Sequence, residues 1–210
     1  MTSEAEAPYP DLRDPRVLVA VRPERRAALT ALWSLAERLT ALLRDTSEPL
    51  IGQIKLAWWR DMLALLATDP AALPKGEPLL ADLQASWSGQ GGFDTLVDAA
   101  EALLLAEDAD ARASAAAAFG AALFGLSGGD PVSGRRWGLL WGAAQQKEED
   151  DARRLFADAR DAVPPPRTAF AGQRALLLLD RWAAAIAARG GERRWRSEGW
   201  LLFRLGLFAR

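Results

Sequence analysis

Between residues 24 and 44 apolar side chains recur every three or four positions: Leu29, Leu32, Trp33, Leu35, Leu39, Leu42 and Leu43. That spacing draws one stripe down an α-helix. Pro23 suits its first turn, where a backbone N–H has no partner to lose. Ser47 then reads as an N-cap with Glu48 and Pro49 behind it. The helix it opens runs to about residue 67, before Asp69-Pro70. Its expected buried side is Ile51, Ile54, Trp58, Met62 and Leu65. Residues 69–78 form a Pro/Gly loop, and a helix over 78–87 ends at Ser88-Gly89.

The same punctuation continues to the end of the chain. Asp94 caps a helix to about 106, and a further helix spans 108–126 and stops at Gly128-Gly129. Asp130-Pro131 opens a helix over 132–146. The charged run 147–151 leads into a helix that stops before Pro164-Pro165-Pro166. A long helix over 167–189 ends at Gly190-Gly191, and an amphipathic helix over 192–210 closes the chain. Leu and Ala dominate, whereas the β-branched residues that favour strands are scarce. The prediction is an all-α single domain over 1–210 with eight to ten helices, its first twelve residues flexible. The Ala-rich stretch 111–122, with Gly120 and Gly125, predicts close approach of helix backbones.

Composition narrows the chemistry. The 210 residues contain neither Cys nor His. That removes disulfides, thiolate nucleophiles, imidazole ligands and Ser-His-Asp triads. An enzyme here must work with carboxylates, Arg, Lys, hydroxyls or a hard cation such as Mg²⁺. The net charge of −2 exerts no strong pull on nucleic acid. Residues 1–10 match neither a secretory signal nor a transit peptide. No apolar run reaches the roughly 18 residues a span needs. The expectation is a cytoplasmic protein, with attachment to the face of the inner membrane open.

One segment carries a family likeness: Ala31-Leu32-Trp33-Ser34-Leu35-Ala36-Glu37-Arg38, followed by Ser47-Glu48-Pro49 and by Gly52-Gln53-Ile54-Lys55-Leu56-Ala57-Trp58-Trp59-Arg60-Asp61. It resembles the opening of the squalene/phytoene synthase family, in particular its short bacterial members and the mitochondrial complex I assembly factor branch. Asp14-Pro15-Arg16 and Pro23-Glu24-Arg25-Arg26 also fit that opening. The resemblance is clear over 11–66 and weak beyond. It implies a truncated isoprenoid-synthase-like (terpenoid synthase) helical bundle. Active members join two isoprenoid diphosphates head to head, using Asp-rich D-x-x-x-D motifs on facing helices. Carboxylates at i and i+4 share a helix face and hold the Mg²⁺ that stabilises the departing diphosphate.

The chain departs from that pattern where the chemistry depends on it. The positions the resemblance assigns to the first motif are Thr40, Ala41 and Arg44. A hydroxyl, a methyl group and a cation cannot hold a divalent metal, although Arg44 could attract a phosphate. The second motif belongs in the helix around 136–146, which offers Trp137, Trp141, Gln145 and Gln146 and no carboxylate before Glu148. The expectation is therefore a protein without catalytic residues and without a cofactor. It binds a lipid, an isoprenoid or a partner protein, as in assembly of a respiratory complex.

Two further readings remain open on the sequence. Asp94 and Asp98, with Glu101, have D-x-x-x-D spacing, and Glu148, Glu149, Asp150 and Asp151 form the densest acidic run. As a displaced Mg²⁺ site they would give an active prenyltransferase; as helix starts they need no special role. Trp33, Trp58, Trp59, Trp137 and Trp141 are candidates for a pocket or partner surface. Neighbouring helix residues point about 100° apart, so either Trp58 or Trp59 can be core while the other faces a groove. The third reading is a peripheral membrane bundle. Arg193, Arg194, Trp195, Arg196, Trp200, Phe203 and Arg204 have the Arg-plus-aromatic composition of an interfacial helix. The same composition also fits a terminal helix packed on the bundle.

Overall fold

The computed structural model describes residues 7–46 and 48–208. They form ten α-helices and, among the described residues, no strand. The helices are α1 (Pro15–Leu18), α2 (Pro23–Asp45), α3 (Pro49–Thr68), α4 (Pro78–Trp87), α5 (Asp94–Leu104), α6 (Ala109–Leu126), α7 (Arg135–Ala143), α8 (Glu149–Asp161), α9 (Arg174–Ala187) and α10 (Trp195–Phe208). The first four begin with proline, as the fixed φ of that residue favours. Asp14 and Asp108 cap α1 and α6 by accepting backbone N–H bonds from Arg16 and Ala111. Ser47, the expected cap of α3, lies outside the described residues.

Several boundaries differ from expectation for local reasons. Asp94 is the first residue of α5 and makes no cap bond; Phe93 precedes it, buried in the core. Asp130-Pro131 opens a 3₁₀ turn over Pro131–Gly134 before α7 starts. The helix expected over 167–189 is broken: a 3₁₀ turn at Arg167–Phe170 and a left-handed Gly172 (φ +71°) precede α9. Of the segment expected to be flexible, residues 1–6 lie outside the described residues. The remainder packs on the bundle: Leu12 is fully buried and the Pro10 carbonyl accepts the Trp137 indole N–H at 2.6 Å.

The antiparallel pair α6–α7 is the centre. Gly138 lies against Ala116 and Gly120, and Gly142 against Ala116. The small residues thus do what the Ala-rich pattern predicted, letting two backbones touch. On one side α5 packs on α6, α3 on α5, and α2 on α4; on the other α8 and α9 cover α7. The buried row of α3 is Gly52, Leu56, Trp59, Leu63 and Leu66, not the expected row. Ile51, Ile54 and Trp58 are exposed, while Met62 and Leu65 are half-buried.

One polar knot fixes the last helix. After α9 the left-handed Gly190 and Gly191 reverse the chain, with the Gly191 N–H donating to the Ile186 carbonyl at 3.1 Å. Glu198 of α10 is wholly buried. Its carboxylate accepts from the Trp182 indole (2.8 Å), Arg189 (3.0 Å), Arg193 (3.0 Å) and the Arg194 backbone N–H (2.6 Å). Burial pushes this carboxyl up, but the Arg194 N–H, Trp182 and Arg193 outweigh it and hold it below its ordinary 4.5. A carboxyl whose pKa falls on folding stabilises above its ordinary value, and that contribution is lost as pH falls through the depressed one. The hydrogen-exchange protection of α10 amides, corrected for the intrinsic pH dependence of exchange, should fall as pH drops below the ordinary 4.5. Glu198→Gln should loosen α10 at neutral pH by about 2 kcal/mol, the worth of hydrogen bonds to a charged group, and should flatten the acid response. Unchanged exchange in that variant would show that the knot does not hold α10.

Candidate functional site

The N-terminal segment, α2 and α7 enclose a cavity of about 770 Å³, within the range of small-molecule sites. α2 contributes Trp33, Ala36, Glu37, Thr40, Ala41 and Arg44; α7 contributes Trp137 and Trp141, with Ala144 and Gln145 just beyond. The 3–4 spacing along α2 puts its residues on one face. Thr40, Ala41 and Arg44 therefore meet Trp137, Trp141 and Gln145 across a single space, while Gln146 lines another cavity.

Its floor is aromatic. Trp141 stacks on Phe119 with centroids 3.7 Å apart, and Trp137 meets Trp33 edge-on at 5.2 Å and Tyr9 at 5.4 Å. A buried indole needs an acceptor for its N–H, and each of the three has one. Trp33 donates to Ser127 Oγ (3.1 Å), Trp137 to the Pro10 carbonyl, and Trp141 to Thr40 Oγ1 (2.8 Å). Thr40 in turn donates to the Ala36 carbonyl at 2.7 Å. Thr40 is thus a neutral hydroxyl, buried and already committed to both a donor and an acceptor.

Charge lies at the rim. Arg13 bridges Asp11 and Glu37 at 2.6 Å each. Burial works against its charge, and the hydrogen bonds to Asp11 and Glu37 overcome that and drive its pKa up. Tyr9 is pushed up to about 12, by burial first and then by Asp11, so its hydroxyl stays protonated. Arg44 is exposed beside Asp45. These groups offer hydrogen bonds and balanced charge, and the carboxylates among them are tied to arginine. Tyr9, Asp11, Arg13 and Glu37 were not anticipated as site residues. The one sequence signal was Leu12, an apolar residue among polar ones, which is fully buried while Arg13 beside it binds Ser34 and Glu37 of α2.

The other candidates lie elsewhere. Trp59 is 3% exposed and structural, while Trp58 is 41% exposed and does not line the α2–α7 cavity. Arg60 binds Asp98 and Glu101, both at 2.7 Å, so the second carboxylate of the D-x-x-x-D pair and the acid one turn beyond it already hold a cation. Glu148 and Asp151 border a separate cavity with Leu103 and Leu104, at the far end of α5. Asp94 starts that helix, about 15 Å along its axis at 1.5 Å per residue. Among the described residues no three acidic side chains are placed to share a metal.

Of the expected interfacial residues, Arg193 is turned inward. It is held by Glu198 and the Ala7 carbonyl and lies over the Trp182 and Trp195 rings. Arg194 pairs with Glu192 at 3.2 Å. Trp195, Arg196, Trp200, Phe203 and Arg204 are exposed. No helix among the described residues is long and apolar enough to cross a membrane. Compared with family models, with curated proteins and with solved structures, the chain matches none.

Proposed function

We propose that this chain is a non-catalytic binding protein built on a degenerate synthase-like bundle, and that the α2–α7 cavity holds an apolar, isoprenoid-like chain. The observation that carries the reading is the Trp141–Thr40–Ala36 hydrogen-bond relay at the place where a diphosphate-ionising enzyme needs metal-binding carboxylates. The resemblance over 11–66 supplies the comparison and is itself part of the proposal. An aromatic floor with Ala36, Ala41 and Ala144 between the rings gains from burying hydrocarbon. The rim of Tyr9, Arg13 and Gln145 suits a polar end group. An assembly role, in which the bound chain or a partner protein is presented to a larger complex, follows from the same resemblance.

Calorimetry with farnesol and farnesyl diphosphate, with and without Mg²⁺, tests it. Both ligands should bind with similar affinity, Mg²⁺ should not matter, and no carbon–carbon product should form. Binding of the diphosphate that requires Mg²⁺, or a head-to-head product, would overturn the reading. So would failure of farnesol to bind.

A further inference from the structure

A second, larger cavity of about 990 Å³ opens between α9, α10 and the turn before α9. Among the described residues its walls carry Arg22, Arg167, Arg181 and Arg204 and no acidic side chain, and Arg174, which has a partner of its own, stands beside them. Asp180 lies behind Arg181 at 3.9 Å and is committed through its other oxygen to Arg136. The floor is hydrocarbon, from Phe170, Leu177, Leu201 and Leu205. Gathering like charges around one concave space opposes folding unless an anion joins them. Guanidinium forks match phosphate oxygens two at a time. The groove is therefore shaped for a phosphate-bearing amphiphile.

The neighbouring surface decides between a soluble amphiphile and a bilayer. At 100° per residue, Arg196, Trp200 and Phe203 share the outer arc of α10, and Arg204 joins that arc to the groove. Trp200 is 68% exposed and Phe203 58%, with their rings edge-on at 5.8 Å. Exposed Trp and Phe next to arginine fit the headgroup level of a membrane. We infer that α10 docks on an anionic bilayer, with the phosphate of an acidic phospholipid held in the arginine groove and Trp200 and Phe203 in the interface. This surface is separate from the α2–α7 cavity, so the inference stands or falls without that reading.

Co-sedimentation of the full chain with vesicles tests it. Binding is expected to vesicles in which part of the phosphatidylcholine is replaced by phosphatidylglycerol, to be absent with phosphatidylcholine alone, and to fall with salt. Arg167 and Arg204 are exposed, so Arg167→Gln with Arg204→Gln should keep the melting temperature. Each arginine near a charged surface accounts for roughly fivefold in partitioning, so the pair should lose about 25-fold. Trp200→Ser should weaken binding further. Equal binding to neutral vesicles, no vesicle binding at all, or full binding by the double Arg variant would overturn the inference. Saturable binding of pyrophosphate without vesicle binding would overturn the membrane as its source and assign the groove to a soluble phosphate.

Discussion

Arg136→Met should lower the melting temperature by about 6–20 °C. That range is a loss of about 3–5 kcal/mol, typical of removing one partner from a buried ion pair, at about 2–4 °C per kcal/mol for a chain of this size. Arg136 is buried in α7 and makes three contacts with one guanidinium. It pairs with Asp180 of α9 at 2.9 Å and donates to the Ala159 carbonyl of α8 at 3.2 Å and to that of its C-cap, Ala162, at 2.8 Å. It thus closes the C-terminal end of α8, whose last carbonyls have no helical partner, and neutralises a carboxylate with no water contact. Burial pushes the Asp180 carboxyl up, against the pull of Arg136 and Arg181, and its Oδ2 has no hydrogen-bond partner. A carboxyl raised on folding destabilises once ionised: stability is intact below its ordinary 3.8 and falls as pH rises through the folded value. Without Arg136 that penalty grows, so the variant's deficit should be greater at pH 7 than at pH 3.5. Arg136→Met with Asp180→Leu should recover part of the loss, since an apolar pair of similar volume often matches a buried ion pair. Thermal melts of the three variants at both pH values measure this. A single variant that melts within 2 °C of the parent at pH 7 would remove the pair from the account of stability.

The same pair shows what a sequence does and does not disclose. The starts of α2, α3 and α4 were legible because their signal is local: a proline at N1 reports on its own backbone. So was Trp33, through its place in the apolar stripe of α2, whereas Trp137 and Trp141 were named only through the resemblance. The face of α3 was not legible. Leu50, Ile51, Ile54, Leu56, Trp58, Trp59, Met62, Leu63, Leu65 and Leu66 leave hardly a polar side to the helix, and periodicity cannot select a row when most rows are apolar. Gly52 was the available clue, because the side chains of Thr46 and Leu104 close over it. The partnership of Arg136 and Asp180 was hidden for a different reason. Each charge interrupts an apolar stretch, which marks it as a buried group in need of a counter-charge, but tertiary packing alone brings two residues 44 positions apart together. Glu198 was hidden likewise, appearing on sequence as one acid among many arginines.

Gly138→Val should destabilise the chain by about 3 kcal/mol and weaken ligand binding in the α2–α7 cavity. A Cβ at Gly138 would strike the Ala116 carbonyl, with the Gly120 nitrogen at 2.9 Å and Cα at 3.0 Å; one at Gly120 would strike the Gly134 carbonyl and the Gly138 Cα. These are backbone atoms, which no rotamer change moves aside. Replacing a mid-helix glycine gains up to about 1 kcal/mol in helix propensity. Forcing extra atoms into a packed contact costs about 1–3 kcal/mol, more where the backbone must shift. Alanine at 138 should therefore show a net loss of about 1–2 kcal/mol and valine more. Trp137 precedes Gly138 and Trp141 lies less than one turn beyond it, so spreading α6 from α7 moves both indoles. The Trp141–Thr40 hydrogen bond then lengthens and the aromatic floor opens, and farnesol affinity should fall with stability. Gly199 provides the control, because it is helical and a Cβ added there would meet nothing within 4 Å. Gly199→Ala should hold or raise the melting temperature. If Gly138→Ala does the same, backbone contact between α6 and α7 is not what sets the shape of the cavity.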